Sequence, residues 1–290
     1  MSVLLSESCD NSGMHPQILV LGSGQDGGSP QTGRSSGVGP ERTASSLAVV
    51  SRLGSVVWLD ASPDLRSQSH RLLAWDGYPA HREELLDAIA ITHGHMGHYA
   101  GLLHLGREAA NVTQVPLVAT PSFLAFIEAN APWSALIENG NVKPAPLDPT
   151  YRIDETMTLR GLPVPHRAEF TDTVGISVAT DGMPWLLYLP DIDDWRTWDT
   201  AEAVIADHPV SFLDATFSST DELPGRDMDE IKHPLVTDTI ERFAHLTAGR
   251  RIVLCHINHT NTLADPDSSI ARMASAAGFL VAYDGMVIDA

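Results

Sequence analysis

The sequence is poor in cysteine and contains no long apolar run. Its 2 cysteines in 290 residues, Cys9 and Cys255, cannot form a framework of disulfide bonds. No apolar run approaches the roughly 18 residues that a transmembrane helix requires. Residues 1–16 lack both a basic start and a continuous apolar stretch, so we predict a flexible tail there and no secretory signal. These absences predict a cytoplasmic protein that does not enter a membrane.

Basic residues are also scarce, which limits the partners. Lys and Arg number 18 against 37 Asp and Glu, a formal net charge of −19. Such a surface repels polyanions, because Lys and Arg supply most of the affinity for nucleic acid. We therefore expect a small-molecule substrate and no nucleic acid partner, and the oligomeric state is left open. A small anionic substrate is compatible with this charge if a metal ion dominates its surroundings.

Apolar segments of strand length alternate with helical patterns along most of the chain. Strands are predicted at residues 17–24, 45–52, 55–62, 85–94, 115–120, 173–180, 184–191, 209–217, 251–258 and 279–288. Helices are predicted at residues 63–75, 98–109, 121–131, 195–208, 233–247 and 268–278. This order favours an α/β fold in which helices cover the outer faces of two sheets. We expect residues 17–290 to form one domain, with the Gly/Ser-rich loop 28–42 at the rim of an active site.

Three histidines follow one predicted strand closely, in the segment ITHGHMGHYAGLL (91–103). A turn there can present His93 and His95 to one metal ion, while His98 points elsewhere and serves a neighbouring ion. Glycines at positions 94 and 97 permit close backbone approach, and imidazole suits zinc, iron and manganese. The alternative is a polar loop in which histidines cluster by chance, since the chain contains 13 of them.

Single polar residues end three further apolar segments. His166 ends LPVPH, Asp191 ends WLLYLPD and His256 ends VLCH. Each residue by itself is typical of a structural position at a sheet edge. Together they add the imidazoles and the carboxylate that a dinuclear metal site requires.

The order of these motifs resembles the metallo-β-lactamase superfamily, in which H-x-H-x-D-H precedes a distant His, Asp and His. Several segments are similar, in order, to the coenzyme PQQ synthesis protein B family: LGSGQDGGSPQ (21–31), LDASPDLRSQ (59–68), GLLHLGRE (101–108), FLDATF (212–217), HINHTNTL (256–263) and AYDGMVI (282–288). The phosphodiesterase of the carbon–phosphorus lyase pathway is a second relative, with similar HISH and FDGMEI segments. The resemblance implies a four-layer αβ/βα sandwich that holds one or two divalent metal ions. Zinc is favoured, with iron or manganese as alternatives.

The resemblance also implies a role for individual residues. A first metal ion would be held by His93, His95 and His166. A second would be held by His98 and His256, with Asp191 as the bridge. Asp60 would orient a ligand or the histidine loop. His233, at the start of a predicted helix, would protonate a leaving group, and a purely structural position is the alternative for it.

This chain departs from the family patterns at two places. Gly97 occupies the aspartate position of H-x-H-x-D-H, which would leave three protein ligands for the second ion. We therefore expect that ion to bind weakly and Gly97→Asp to raise its occupancy, unless His259 compensates; a structural role is the alternative for His259. Members of the coenzyme PQQ family lack the first two histidines and carry a cysteine-rich zinc loop, whereas this chain has the histidines and no cysteine in residues 28–42.

Three functions fit these features. The preferred one is a metal-dependent hydrolase that activates water against a small-molecule ester, lactone, amide or phosphodiester. In it Asp191 would orient the nucleophile and His233 would assist departure of the leaving group. The second is an iron-dependent oxygenase of the coenzyme PQQ synthesis protein B type in cofactor or natural-product biosynthesis, favoured if the loss of an acid at 97 leaves a single ion. The third is a non-enzymatic binding protein with a structural metal.

Overall fold

The computed structural model describes residues 15–80, 82–222 and 232–289. The strands are β1 Gln17–Gly22, β2 Ser46–Val50, β3 Val56–Leu59, β4 Ala88–Ala90, β5 Val115–Ala119, β6 Val142–Pro146, β7 Thr150–Arg152, β8 Met157–Pro163, β9 Val174–Thr180, β10 Met183–Leu189, β11 Val210–Asp214, β12 Arg251–Cys255, β13 Leu280–Val281 and β14 Val287–Asp289. The α-helices are α1 Leu65–Leu73, α2 Met96–Tyr99, α3 Pro121–Ala129, α4 Ser134–Glu138, α5 Ala201–Asp207, α6 Val236–Phe243 and α7 Ser269–Ala276. The predicted tail lies almost entirely in residues 1–14, outside the described ranges.

The described strands form two seven-stranded sheets. Their orders are β14-β1-β2-β3-β4-β5-β6 and β13-β12-β11-β10-β9-β8-β7. One apolar cluster contains side chains from both sheets and lies between them. Two further clusters lie on the outer faces, where the first sheet packs against α1, α3 and α4 and the second against α5, α6 and α7. The predicted four-layer sandwich is therefore confirmed.

Burial on both faces explains why so many strands are continuous apolar runs. In β1, Ile18 and Val20 enter the cluster between the sheets, whereas Leu19 and Leu21 enter the outer cluster. Side chains alternate along a strand, so a strand covered on both sides needs apolar residues at every position. Such strands are readily recognised in the sequence.

The strand predictions were wrong or incomplete at two places. Residues 279–288, predicted as one strand, form β13 in one sheet and β14 in the other, with Gly285 (φ 92°) in the connecting turn. Strands β6, β7 and β8 were not predicted. β6 contains Pro144 and Pro146 and lies at a sheet edge, where a strand tolerates residues that cannot donate a hydrogen bond.

The predicted helices exist but several differ in their limits. The segment predicted at 98–109 is a short α2 followed by a 3-10 helix over Ala100–Leu105. The segment predicted at 195–208 begins as a 3-10 helix before α5. His233 lies ahead of α6, which begins at Val236, so it does not open the helix. Helix α4 was not predicted. None of the helices in the described ranges has the length and apolar character needed to cross a bilayer.

The topology brings several strand ends to one edge of the sandwich. Strands β3 and β4 are parallel in one sheet, and β10, β11 and β12 are parallel in the other. Carboxyl ends of neighbouring parallel strands meet at the same edge, where α/β proteins place their ligand sites. The residues that follow these strands therefore share one region.

Candidate metal centre

The structure brings together four residues that the sequence separates widely. His93 Nε2 lies 2.9 Å from His95 Nδ1, and His166 Nε2 lies 3.2 Å from the same atom. Oδ2 of Asp191 lies 3.3 Å from His93 Nε2. One ligand atom from each of the four residues lies within 4.8 Å of the others. This spacing suits three imidazoles and a carboxylate around one ion.

A second group adjoins the first and includes a residue that was not predicted. Oδ1 of Asp26 lies 3.7 Å from Nε2 of His98 and 3.9 Å from Nε2 of His256. Oδ2 of Asp191 lies 2.8 Å from Nε2 of His98. Because the same oxygen also faces His93, Asp191 stands between the two groups. The six residues predicted as metal ligands are thus placed together, with Asp26 in addition.

Asp60 supports the segment that carries His93 and His98 through hydrogen bonds. Its Oδ2 accepts a hydrogen bond from Nδ1 of His98 at 2.7 Å. Its Oδ1 accepts from the backbone N–H of Thr92 at 2.8 Å, and the Thr92 hydroxyl lies 3.0 Å from Nδ1 of His93. A buried carboxylate in this position determines which nitrogen of each ring carries the proton. Nε2 of both histidines then presents a lone pair to the centre.

The other three histidines of the centre have equivalent supports. Nδ1 of His166 lies 2.9 Å from Asp193, and Nε2 of His95 lies 2.9 Å from Glu169. Nδ1 of His256 donates to the hydroxyl of Thr216 at 2.9 Å, which in turn donates to Asp214 at 2.7 Å. In His166 and His95 the proton is thus assigned to the nitrogen that faces away from the centre, whereas Nδ1 of His256 also lies 3.3 Å from Oδ1 of Asp191. The supporting residues Thr216, Asp193, Asp214 and Glu169 were not predicted.

The facing nitrogen and oxygen atoms fit a bound cation. Oδ1 of Asp26, Nε2 of His98 and Nε2 of His256 are buried and have no hydrogen-bond partner among the described residues. A buried polar atom without a partner costs free energy that a bound ion would recover. In the first group, Nε2 of His93 and Nδ1 of His95 lie 2.9 Å apart, and both present lone pairs when the other nitrogen of each ring donates its proton to Thr92 or Glu169. A cation between them would replace that repulsion with attraction.

The charge states of the buried groups also favour a cation. Burial acts to raise the pKa of Asp191, but attraction to His256 and His98 outweighs it, and the pKa lies well below its usual range. Burial lowers the pKa of His93 far below its usual value, and it lowers the pKa of His166 as well. Ionised Asp191 beside neutral His93 and His166 is the kind of ligand set that divalent metals require. Burial acts to lower the pKa of His98 as well, but attraction to Asp60 and Asp191 outweighs it and raises that pKa well above its usual value, so a bound ion would displace a proton from His98.

Two of the residues that shape the centre have left-handed backbone conformations. Asp60 has φ 62° and His256 has φ 59°, at the ends of β3 and β12. A non-glycine residue in this region costs on the order of 1–3 kcal/mol, and such strain concentrates at functional sites. At these two positions the strained backbone conformation directs a side chain towards the centre.

His233 adjoins the centre from the side of the second sheet. Its Nδ1 lies 2.7 Å from Oδ2 of Asp214 and 3.6 Å from Oδ1 of Asp191. Burial acts to lower the pKa of His233, but attraction to Asp214 outweighs it and raises the pKa to about 9. The imidazole therefore carries a proton at neutral pH.

A cavity of about 1000 Å³ opens beside the second group. Its wall includes Asp26, Phe217 and Asn258 together with much of loop 25–38. Part of the predicted rim loop, residues 28–42, thus lines this cavity. His259 also lines the cavity; its Nδ1 lies 2.9 Å from the amide oxygen of Asn258, and it belongs to none of the ligand groups found in the described ranges.

Two facing sheets with helices outside, and a histidine and aspartate centre at the strand ends, define a metallo-β-lactamase fold. The chain belongs to the beta-lactamase superfamily, because the family model described as the beta-lactamase superfamily domain matches residues 56–257.

Named relatives support the same placement. Coenzyme PQQ synthesis protein B of Methylorubrum populi is 29% identical over 304 residues, which cover 94% of this chain and 99% of the relative. The structure of Zn(2+)-bound PqqB from Methylobacterium extorquens is 25% identical, has a TM-score of 0.77, and covers 94% of this chain and 100% of that chain. A diphosphatase from the PhnP family shares the fold, with 20% identity, a TM-score of 0.67 and coverage of 96% and 98% of the two chains. The resemblance inferred from the motifs is confirmed.

Proposed function

We propose that this protein is a metal-dependent hydrolase that acts on a small anionic ester, lactone or phosphodiester. The observation that carries the proposal is that Asp191 belongs to the first ligand group and also lies 2.8 Å from His98 of the second group, beside a cavity of about 1000 Å³. A structural metal would need a closed ligand set, whereas a cavity beside the ligands leaves room for a substrate.

The first ion would be held by His93, His95, His166 and Asp191, and the second by His98, His256 and Asp191. Divalent ions in such a centre would lower the pKa of a water molecule and polarise an oxygen atom of the substrate. Asp191 would hold its carboxylate between the two groups and so determine where the attacking water is oriented. Asp60 and Asp214 would keep the imidazoles in the required tautomers.

His233 would supply a proton to the leaving group. Its ring centroid lies 5.8 Å from that of His166 and 5.7 Å from that of His256, so it adjoins both groups. The buried carboxylate of Asp214 orients the ring and keeps it protonated. A proton donor in this position assists cleavage in proportion to the basicity of the leaving group.

Two arginines support an anionic substrate. Arg34 and Arg167 both line the cavity. Neither has a carboxylate within salt-bridge distance among the described residues, and Nε of Arg167 is buried without a partner there. In a chain with 18 basic and 37 acidic residues, cavity arginines left without acids favour a negatively charged ligand. A carboxylate or a phosphate provides that charge.

An iron-dependent oxygenase of the coenzyme PQQ synthesis protein B type is the second candidate. It is supported by the 29% identity to that protein over 94% of the chain. The argument from a missing acid at position 97 no longer supports it, because Asp26 brings a carboxylate to the second group.

The test combines elemental analysis with two assays. Protein purified without added metal would be analysed for zinc, iron and manganese, and then offered aryl phosphodiesters, esters and lactones with and without a carboxylate. We expect about two divalent ions per chain and metal-dependent hydrolysis of the anionic compounds. A single iron with substrate-dependent oxygen consumption and no hydrolysis would overturn the proposal in favour of the oxygenase.

A further inference from the structure

Position 97 has no room for a side chain. A Cβ placed on Gly97 would lie 2.6 Å from Cα and 2.9 Å from Cγ of Asp26, and it would overlap Oδ1 of the same residue. Separations below about 3 Å between such atoms require one of them to move. The carboxylate of Asp26 thus occupies the space where the acid of H-x-H-x-D-H would begin.

The Asp26 carboxylate is aimed at two imidazole lone pairs. Its Oδ1 lies 3.7 Å from His98 Nε2 and 3.9 Å from His256 Nε2. All three atoms are buried and without hydrogen-bond partners in the described part of the chain, and the protons of both rings are assigned to Nδ1. With each ring proton on Nδ1 alone, these three atoms are convergent acceptors, and a cation between them would satisfy all three.

The backbone around Asp26 is held beside His256. Gln25 donates to the carbonyl oxygen of Ile257 at 3.0 Å, and Ile257 donates to the carbonyl oxygen of Ser23 at 3.0 Å. Gly24 donates to the carbonyl oxygen of Thr43 at 2.8 Å. The first two hydrogen bonds connect the loop after β1 to the end of β12 in the other sheet, and the third connects the loop to the segment that precedes β2. The position of Asp26 is therefore fixed by hydrogen bonds between its loop and both sheets.

We propose that Asp26 is the carboxylate ligand of the second metal ion, in place of the acid that the superfamily pattern has at position 97. The proposal rests on the proposed metal centre. Residues 25–38 carry Asp26 and also line the cavity. Binding of the second ion therefore also fixes this wall of the substrate cavity. Asp26 precedes residues 56–257, so the family match does not assign it.

The first test measures metal affinity by competition with a chromophoric chelator and by elemental analysis. Asp26→Ala and the isosteric Asp26→Asn should keep the first zinc and bind the second at least about 10-fold more weakly than the unmodified chain. Glu222→Gln, which changes another acid of the cavity wall, is the matched control and should keep both affinities. Unchanged affinity for two ions in both Asp26 variants would overturn the inference. Failure of the unmodified chain to bind metal would instead overturn the proposed function.

A second measurement follows the loop itself. Hydrogen exchange of residues 24–38 should slow when zinc is added to the unmodified chain and to Glu222→Gln. The same addition should have little effect on that loop in Asp26→Asn. Equal protection by zinc in Asp26→Asn and the unmodified chain would show that the ion does not hold the loop through Asp26.

Substitution of Gly97 gives an independent check. Because a Cβ at position 97 overlaps Asp26, Gly97→Asp should lower the affinity for the second ion, opposite to the expectation from the sequence. An increase in that affinity would show that position 97 can hold a ligand and that Asp26 is not required.

Discussion

Nδ1 of His98 lies 2.7 Å from Oδ2 of Asp60, and their side chains are 1% and 0% exposed. A buried carboxylate that receives the ring proton leaves Nε2 free for a metal and fixes the orientation of the ring. Asp60 also accepts hydrogen bonds from Thr92, which adjoins His93, so one carboxylate supports residues of both ligand groups.

Asp60→Asn should therefore weaken metal binding without removing a ligand. We expect a loss of about 10–100-fold in zinc affinity, because the amide no longer selects the Nδ1–H tautomer of His98. Chelator competition measures the affinity. Asp87→Asn, which changes an acid that accepts from Val56 and Arg82, is the control. Equal zinc affinity in Asp60→Asn and the control would contradict this role.

His233→Asn should spare both metal ions and slow the reaction. We expect kcat to fall about 10²–10⁴-fold for substrates with strongly basic leaving groups, since these need a proton to depart. Substrates that release nitrophenolate should be much less affected. The measurement is kcat against leaving-group pKa, with metal content determined in parallel. A variant that loses metal would show that His233 is a ligand, in keeping with its 3.6 Å approach to Asp191.

His95→Ala should remove the first ion together with the activity. An ion at a free concentration of about 100 times its Kd raises the free energy of unfolding by about 2.7 kcal/mol. Zinc should therefore raise the Tm of the unmodified chain by roughly 5–10 °C. The rise should be smaller in His95→Ala, which retains only the second group. A variant with its full metal content and full turnover would rule out His95 as a ligand.

Arg167→Gln should raise KM for anionic substrates while the metal content stays unchanged. The guanidinium lies on the cavity wall and pairs with no acid in the described ranges, so its charge is available to a ligand. We expect KM to increase about 10-fold or more, because a charge-assisted hydrogen bond typically contributes this much to binding. Arg107→Gln removes the same charge from the exposed surface and should leave KM unchanged. Equal KM values for an ester and its carboxylated analogue would exclude this role.

His208 should make the apoprotein sensitive to mild acid. Its ring lies 2.7 Å from Ser177 and 2.6 Å from the Val204 carbonyl oxygen, and burial lowers its pKa below the ordinary 6.5. Below about pH 6.5 the unfolded chain therefore binds a proton that the folded chain does not, and the free energy of unfolding falls as pH decreases. His208→Gln should reduce this slope by up to about 1.4 kcal/mol per pH unit.

Urea unfolding of the two apoproteins between pH 5 and pH 8 measures that slope. The variant should be less stable at pH 8, because it loses a buried hydrogen bond, but should lose less stability on acidification. Parallel curves for the two proteins would show that His208 does not contribute to the acid sensitivity.

Much of the fold was predictable because the pattern of apolar residues within each segment indicates which strands are buried. Strands such as β1 and β12 are apolar at every position, since each is covered on both faces. Strand β6 was missed because an edge position lets it contain two prolines. The split between β13 and β14 was missed because the Asp-Gly pair at 284–285 signals a turn but does not show that the chain passes there from one sheet to the other.

The histidines and Asp191 were predictable because polar residues that end apolar strands are unusual, and because imidazoles and carboxylates are both metal ligands. Asp214 was harder to recognise, since it lies inside FLDATF and supports the centre indirectly, through hydrogen bonds with Thr216, His233 and the backbone of Ile192. Asp26 carried one signal, an acid among the glycines of GQDGG. No spacing rule connects it with Gly97.

The residue types and their order along the chain determined that this protein has two covered sheets and a centre rich in imidazole at one edge. Only the tertiary structure placed the carboxylate of Asp26 beside that centre. The carboxylate comes from a loop of the first sheet that is hydrogen-bonded to Ile257 at the end of β12. A ligand set depends on positions in space, and the separation between Asp26 and Gly97 is small only after both sheets have packed.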